Sequence, residues 1–248
     1  QQLGTRLQLD DKELNSLAYK TKYDNEMLEV KKEIRRALTR RDYEYIEKIL
    51  EQNKLLINNI NNENDQAFFT WVDASLQDKL YHQKDNALKI LKKIPLFNLD
   101  NELAIEILNA IGVIYYQWDE FKEALNVFQH AVNMIEKDID YMVQTKILFN
   151  YALTLEEFDE DKKALDYIIQ AIDRLVVEDS MYLLGDLYHT KGYILRKLGH
   201  LQEAKKSTQL ALSIFEIQNN NKFKTMTQLE IEEINHLLQK VIPIDYYK

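Results

Sequence analysis

Residues 111–132 read IGVIYYQWDEFKEALNVFQHAV, and two later stretches repeat their pattern, YALTLEEFDEDKKALDYIIQAI at 151–172 and KGYILRKLGHLQEAKKSTQLAL at 191–212. Small residues recur in three columns, 40 residues apart: Gly112, Ala152 and Gly192; Ala124, Ala164 and Ala204; Ala131, Ala171 and Ala211. Because three independent columns share one period, we interpret these stretches as structural repeats.

Each repeat is predicted to be a helix, a tight turn and a second helix. The turns fall at residue types that tolerate turn geometry, namely Asp119, Asp159 and Gly199. Small residues at the three columns let two antiparallel helices approach closely. Larger residues, Tyr115 and Phe128 in one repeat and Leu155 and Ile168 in the next, are expected to fill the remaining volume.

The repeats are similar to the tetratricopeptide pattern at its small, aromatic and alanine positions. Their period is longer than the usual one of about 34 residues, which implies helices longer by a turn or a looser connection between hairpins. Thr208 also replaces the aromatic residue expected in the last repeat.

Two weaker hairpins are predicted upstream. One contains Trp71, Ser75, Ala87 and Leu91, and the other is an amphipathic pair within residues 26–50, broken near Arg41 and Asp42. The Asn-rich stretch 58–64 reads as the loop between them, and Pro95 ends the second hairpin.

A further helix over residues 223–241, stopped by Pro243, is expected to cap the array because a terminal repeat would otherwise expose apolar surface. The predicted fold is all-α, a right-handed superhelix of about five tetratricopeptide-like hairpins with a C-terminal capping helix. The predicted boundaries are a tail or linker helix at 1–23, the repeat domain at 24–218, and the capping helix and tail at 219–248.

Composition agrees with an all-helical protein. The 248 residues include only five glycines and two prolines, too few for the many turns of an all-β fold. Cysteine is absent, which excludes disulfides and thiolate chemistry. The net charge of -9 disfavours bulk binding of nucleic acid, and no stretch is apolar enough to indicate a membrane helix. We expect a cytoplasmic protein.

No catalytic pattern stands out. The five histidines are dispersed, with no metal-ligand spacing, and Gly-rich phosphate loops and nucleophile elbows are missing. We therefore predict no enzyme activity, no catalytic residues, no metal and no cofactor. A basic run within residues 31–41 is interleaved with acidic residues and reads as a solvated helix face.

Stacked helical hairpins present the first helix of each unit on a concave face, and such grooves bind extended peptides or partner helices. Counting from the small residues gives the candidate peptide-binding residues: Asn109, Tyr116, Lys146, Phe149, Asn150, Leu153, His189, Tyr193, Arg196 and Lys197. The alternatives stay open, because exposed amides are often only solvated and aromatic residues at helical spacing are often core.

These side chains suit an extended peptide of about five to eight residues. Asn109 and Asn150 both donate and accept, as a peptide main chain requires. Tyr116, Phe149 and Tyr193 would offer apolar pockets. The cations, Lys146, Arg196 and Lys197, would favour an acidic residue or a free carboxylate.

Three stretches carry a resemblance to a known family: LNAIGVIYYQWDEFKEAL at 108–125, ILFNYALTLEEFDEDKKALDYIIQAI at 147–172 and LLGDLYHTKGYILRKLG at 183–199. Over residues 24–241 the chain resembles the sensor domains of peptide-responsive quorum-sensing transcription regulators of Gram-positive bacteria, the RNPP family of the PlcR and NprR type.

The resemblance implies a helix-turn-helix domain that binds DNA, a repeat domain that binds a short signalling peptide, and a homodimer. Residues 1–18, QQLGTRLQLDDKELNSLA, resemble the end of such a DNA-binding domain, and the chain begins with Gln1, so we expect the domain itself to precede it. Asn150 in LFNYA matches the family's asparagine that clamps the peptide backbone, so the resemblance implies this role for it. Asn109 lies at the corresponding place in the preceding repeat.

The favoured interpretation is a peptide-binding sensor domain that controls DNA binding allosterically. The alternative is a stand-alone tetratricopeptide scaffold for a protein partner. A third class, the related aspartate-phosphatase regulators, would need an N-terminal helical bundle for which we expect no room in the first residues.

Overall fold

A computed structural model describes the backbone of residues 11–241 and the side chains of residues 20–240. This part of the chain forms twelve α-helices and divides into two compact units, with the boundary between Asn98 and Leu99. Residues 1–10 of the tail predicted at 1–23 lie outside the described residues. The predicted stop at Pro243 also lies outside them.

The first unit contains five helices: α1 (Asp11–Arg40), α2 (Tyr43–Gln52), α3 (Lys54–Ile57), α4 (Glu63–Lys79) and α5 (Lys84–Leu91). Between α1 and α2, Arg41 adopts a left-handed conformation with φ 58°. The next residue, Asp42, caps α2 by accepting a hydrogen bond from the Tyr45 N–H at 3.1 Å. The predicted break at Arg41 and Asp42 is therefore confirmed.

The loop predicted at residues 58–64 begins where expected but is shorter. Asn62 caps α4 by accepting from the Asp65 N–H at 2.7 Å, so Glu63 and Asn64 already belong to the helix. The Asn-rich run ends early because an asparagine is a good helix cap as well as a loop residue.

Two cations of the basic run of α1 pack against α4, whereas the other basic residues of the run are exposed, as expected of a solvated helix face. Lys31 pairs with the buried Asp65 at 2.5 Å, and the Arg35 guanidinium lies 5.4 Å from the centre of the Phe68 ring. These cations thus take part in the packing of the unit through ion-pair and cation–π contacts.

The second unit contains seven helices: α6 (Asn101–Tyr116), α7 (Phe121–Asn133), α8 (Tyr141–Glu156), α9 (Asp161–Val177), α10 (Leu184–Lys197), α11 (Leu201–Ile217) and α12 (Asn221–Val241). Helices α6 to α11 pair as three hairpins, and consecutive hairpins pack on each other. Their three turns each contain one left-handed residue at the predicted position, Asp119 (φ 59°), Asp159 (φ 55°) and Gly199 (φ 82°).

The small-residue columns lie at the helix crossings, as predicted. All seven alanines are completely buried. In the first hairpin, a Cβ added to Gly112 would lie 2.5 Å from the Phe128 ring, so only glycine fits beside this phenylalanine. In the third, a Cβ on Gly192 would overlap the hydroxyl of Thr208, which donates to the Ala204 carbonyl oxygen at 2.9 Å. Thr208 occupies the position expected of an aromatic residue, and its buried hydroxyl is satisfied by the hydrogen bond within its own helix.

Helix α12 packs mainly on α11 and also contacts α10, as expected of a capping helix. Its buried Ile234 joins a cluster with Leu195 and Ala204, against which Leu238 also packs. Met226 and Leu229 face solvent, whereas Thr227 is fully buried. The helix therefore packs on the array through a narrower apolar stripe than its composition indicates.

The predicted fold class is confirmed: the described chain is all-helical, with five hairpins of tetratricopeptide type and a terminal helix. None of the helices in residues 11–241 has the length and apolar character needed to cross a membrane.

Candidate functional site

The two predicted amides lie together on neighbouring first helices. The Asn150 side-chain Nδ2 on α8 donates to the Asn109 Oδ1 on α6 at 2.7 Å, and both residues are half-buried. On the same helix, Thr154 donates to the Asn150 carbonyl oxygen at 2.8 Å. The first helices of two hairpins thus present one joined amide pair.

Tyr116 ends α6 close to the next hairpin. Its hydroxyl donates to the Glu157 carboxylate at 2.7 Å, and its ring meets that of Phe121 edge-on with 5.2 Å between centres. Burial and then the hydrogen bond to Glu157 raise the pKa of Tyr116 far above its ordinary value. Tyr116 is therefore a neutral hydrogen-bond donor, and its ring packs on Phe121 of the same hairpin.

The remaining predicted residues of α8 lie along the same helix. Lys146 is one turn before Asn150, Phe149 is its neighbour, and Leu153 is one turn later. All three are half-buried, a degree of exposure that leaves part of each side chain accessible to a ligand.

His189 of α10 faces the capping helix. Its Nδ1 lies 3.2 Å from the Thr227 hydroxyl, whose own hydrogen is donated to the Phe223 carbonyl oxygen at 2.7 Å. The Thr227 hydroxyl thus joins the His189 ring to the main chain of α12. Burial lowers the pKa of His189, and the carboxylates of Glu230 and Asp186 oppose this shift in part.

Arg196 lies between Tyr193 and the capping helix. Its Nε donates to Glu230 at 2.6 Å, its Nη1 donates to Glu233 at 3.2 Å, and its guanidinium lies 5.2 Å from the centre of the Tyr193 ring. The side chains of Arg196 and Glu230 are only 19% and 12% exposed. The guanidinium charge is thus already matched by the chain itself.

Lys197 is likewise paired. Its ammonium lies 2.7 Å from Glu156, 3.0 Å from Asp161 and 3.4 Å from Asp159. Burial alone would lower the pKa of Lys197, but hydrogen bonds to Glu156 and Asp161 outweigh this and raise it. Lys197 therefore stays charged across the physiological pH range.

Counting from the small residues points to Glu156 but not to the other acidic partners. Asn109 and Asn150, Tyr116 and Glu157, and Glu156 and Lys197 are each separated by 41 residues, one more than the repeat period. A search for complementary side chains at that interval would have found all three pairs. In residues 20–240, no three His, Asp or Glu side chains are arranged to hold a metal ion.

Consecutive helical hairpins whose first helices are joined by side-chain hydrogen bonds define a tetratricopeptide-like repeat domain. Residues 31–238 match the model of the RNPP family C-terminal domain, which covers most of the chain. The chain belongs to the RNPP family, a family of peptide-sensing regulator domains.

Solved structures show the same fold. PlcR from Bacillus thuringiensis in complex with the peptide PapR7 and DNA shares 22% identity, with 82% of this chain and 74% of that chain covered and a TM-score of 0.69. PlcR in its apo form gives 22% identity, 88% and 82% coverage and a TM-score of 0.72. The apo form of RapI gives 13% identity, 87% and 84% coverage and 0.59. No curated protein matches the chain by sequence.

Proposed function

We propose that this chain is the peptide-binding sensor domain of a cytoplasmic transcription regulator. The observation that carries the proposal is the Asn109–Asn150 pair, which joins two amides on consecutive first helices within a chain of the RNPP family. A short signalling peptide would lie extended across these helices and control a helix-turn-helix domain that binds DNA. Membership of a family that includes peptide sensors supports this reading.

The amide pair offers the hydrogen-bonding groups that a peptide main chain needs. With one Asn150 side-chain N–H used on the Asn109 Oδ1, the side-chain N–H groups of Asn109 and the side-chain Oδ1 of Asn150 would serve a ligand. One side chain then donates to a peptide C=O while the other accepts from a peptide N–H. Because the pair is already joined, little side-chain entropy remains to be lost on binding.

Apolar contacts would come from the half-buried Phe149 and Leu153 beside the amides and from Tyr193 on the next first helix. Tyr116 would contribute the part of its ring that Phe121 leaves uncovered. Such pockets give a groove its side-chain specificity, while main-chain hydrogen bonds give it affinity.

The ion pairs of Arg196 and Lys197 make these two cations less available to a peptide than the sequence alone predicts. Arg196 and Lys197 are held by carboxylates of the chain, so an acidic peptide group would have to displace Glu230 or Glu156 to reach them. We therefore propose that these two residues, with His189, shape the end of the groove.

The test uses a synthetic peptide of five to eight residues from the C-terminus of any short secreted-peptide gene adjacent to this one. Isothermal titration calorimetry should give measurable binding, and Asn150→Ala should weaken it by about 1 to 3 kcal/mol, or roughly 5- to 150-fold, because buried peptide groups lose a partner. The melting temperature should change little.

The matched control is Lys163→Ala on α9, whose side chain is 64% exposed and pairs only with Glu160 in the same helix turn. It should bind the peptide like the parent. If Asn150→Ala binds as tightly as the parent while Lys163→Ala loses affinity, the groove assignment is wrong. The alternative of a stand-alone scaffold for a protein partner then takes its place.

A further inference from the structure

The first two hairpins of the second unit, α6–α7 and α8–α9, are joined at three levels along their first helices. Glu102 near the start of α6 accepts from the Asp140 N–H at 3.1 Å, the joined amide pair follows in the middle, and Tyr116 donates to Glu157 at the end. These joints span about 21 Å of α6, and the backbones of α6 and α8 also pack on each other. Two hairpins tied over the length of their first helices are expected to move as one body.

The third hairpin, α10–α11, is joined to the second in a different way. Helix α10 packs on α9, but α8 and α10, both within the described residues, do not pack closely on each other. On this side, Lys197 at the end of α10 reaches Glu156 at 2.7 Å and Asp161 at 3.0 Å. Glu156 ends α8 and Asp161 begins α9, so one ammonium ties the end of α10 to the turn of the second hairpin.

The linker that leads to the second hairpin, residues 134–140, is fixed to the helix that follows it. Gln144, which is only 1% exposed, donates to the Ile139 carbonyl oxygen at 2.6 Å. Asp140 caps α8 by accepting from the Met142 N–H at 2.8 Å. These hydrogen bonds oppose a change of backbone angles in this linker, because breaking them would leave polar groups without partners.

The linker that leads to the third hairpin, residues 178–183, is built differently. Leu183 stands at the cap position of α10, where a leucine side chain cannot accept a hydrogen bond, and it has φ 53°, while Asp179 has φ 48°. Left-handed backbone is unfavourable for leucine, so a change of φ here can relieve strain. Hinges are formed by such residues at the ends of elements. This linker lies at the opposite end of the α9–α10 pair from Lys197.

We propose that the second unit has a hinge at residues 178–183 and that Lys197 is the latch that closes it. With the latch closed, the Lys197 ammonium holds the end of α10 on Glu156 and Asp161. With the latch open, the third hairpin rotates about the linker, and α12 follows because it packs on α10 and α11. The first two hairpins stay together. The hinge goes beyond the proposed peptide binding and operates without a ligand.

Distances between pairs of spin labels, measured by double electron–electron resonance, test the hinge. The chain has no cysteine, so two introduced cysteines are the only sites labelled. Lys162 and Gln202 are exposed and lie at equivalent positions of the second and third hairpins, so labels there span the hinge. Labels at Lys122, also exposed, and Lys162 span the first two hairpins.

The size of the expected movement follows from the length of α10. The helix has 14 residues and is about 21 Å long, so a rotation of about 10° about its start moves its end by about 4 Å. Lys197→Gln should therefore lengthen the mean distance between the labels at 162 and 202 by about 4 Å and broaden its distribution. The distance between the labels at 122 and 162 should stay at the parent value.

Lys224→Gln is the matched control, because it removes an ion pair with Glu216 inside the moving part, and it should change neither distance. The latch is overturned if Lys197→Gln leaves the distance between 162 and 202 unchanged. The hinge is overturned if the distance between 122 and 162 lengthens equally, since the array would then bend at every joint. Should Lys197→Gln fail to fold, Glu156→Gln combined with Asp161→Asn takes its place, and an unchanged distance between 162 and 202 there would equally refute the latch.

Discussion

Replacing Gly112 by alanine tests how closely the first hairpin of the second unit is packed. The added Cβ would lie 2.5, 2.7 and 2.8 Å from three atoms of the Phe128 ring, well inside van der Waals contact, and Phe128 is only 1% exposed. Overpacking of this kind costs about 1 to 3 kcal/mol. Alanine's better helix propensity returns about 1 kcal/mol, so the net loss expected is about 1 kcal/mol.

The next hairpin indicates a second substitution that should offset the stability lost in Gly112→Ala. At the positions equivalent to Gly112 and Phe128 it has Ala152 and Ile168, both completely buried. Phe128→Ile alone should leave a cavity and cost about 2 kcal/mol. Combined with Gly112→Ala, it recreates the alanine and isoleucine combination, so the two changes should offset each other by about 1 to 2 kcal/mol.

Urea unfolding followed by circular dichroism gives the free energy of unfolding for the parent, both single variants and the double variant. The slope with denaturant should stay constant, so that midpoints report stability. Strictly additive losses, or a Gly112→Ala variant more stable than the parent, would refute the proposed contact between this glycine and Phe128.

Two further predictions concern pH and association. Because burial lowers the pKa of His189 below its ordinary value, the folded state gives up stability as pH falls below about 6.5, where the unfolded histidine takes up a proton first. His189→Gln should therefore lose less stability than the parent between pH 7.5 and 5.5. An equal loss in the variant and the parent would contradict the assignment. The family resemblance predicts a homodimer, so light scattering should give twice the 29.5 kDa chain mass, and a monomer at micromolar concentration would exclude association through these residues alone.

The hairpins could be predicted because packing leaves a direct mark on sequence. Where two helices cross closely, only glycine or alanine fits, so positions such as Ala124 and Ala164 repeat visibly. The turns are equally explicit, since Asp119 and Gly199 are among the residue types that tolerate left-handed backbone. The short helix Lys54–Ile57 carries no comparable signal, because one helical turn has neither periodicity nor a crossing.

The polar pairs of the candidate site were not predictable in the same way. Side chains such as Glu156 and Glu230 are equally suited to solvent and to an ion pair, and only the folded backbone brings them to Lys197 and Arg196. The capping helix illustrates a second limit. Its Leu229 suggests a buried position, yet the helix turns Thr227 and Ile234 inward, because orientation is set by the surface that α11 and α10 present.

The matching of residues across each hairpin crossing has a consequence for recombination. Gly112 is matched to Phe128, and Gly192 to Thr208, and each match lies within one hairpin and not between neighbours. A crossover placed between hairpins, such as in residues 134–140, would exchange complete matched sets. A crossover inside a turn, at Asp119 or Gly199, would separate them and bring together first and second helices whose volumes do not fit. For the packing at these crossings, the whole hairpin and not the single helix is therefore the segment that keeps matched residues together.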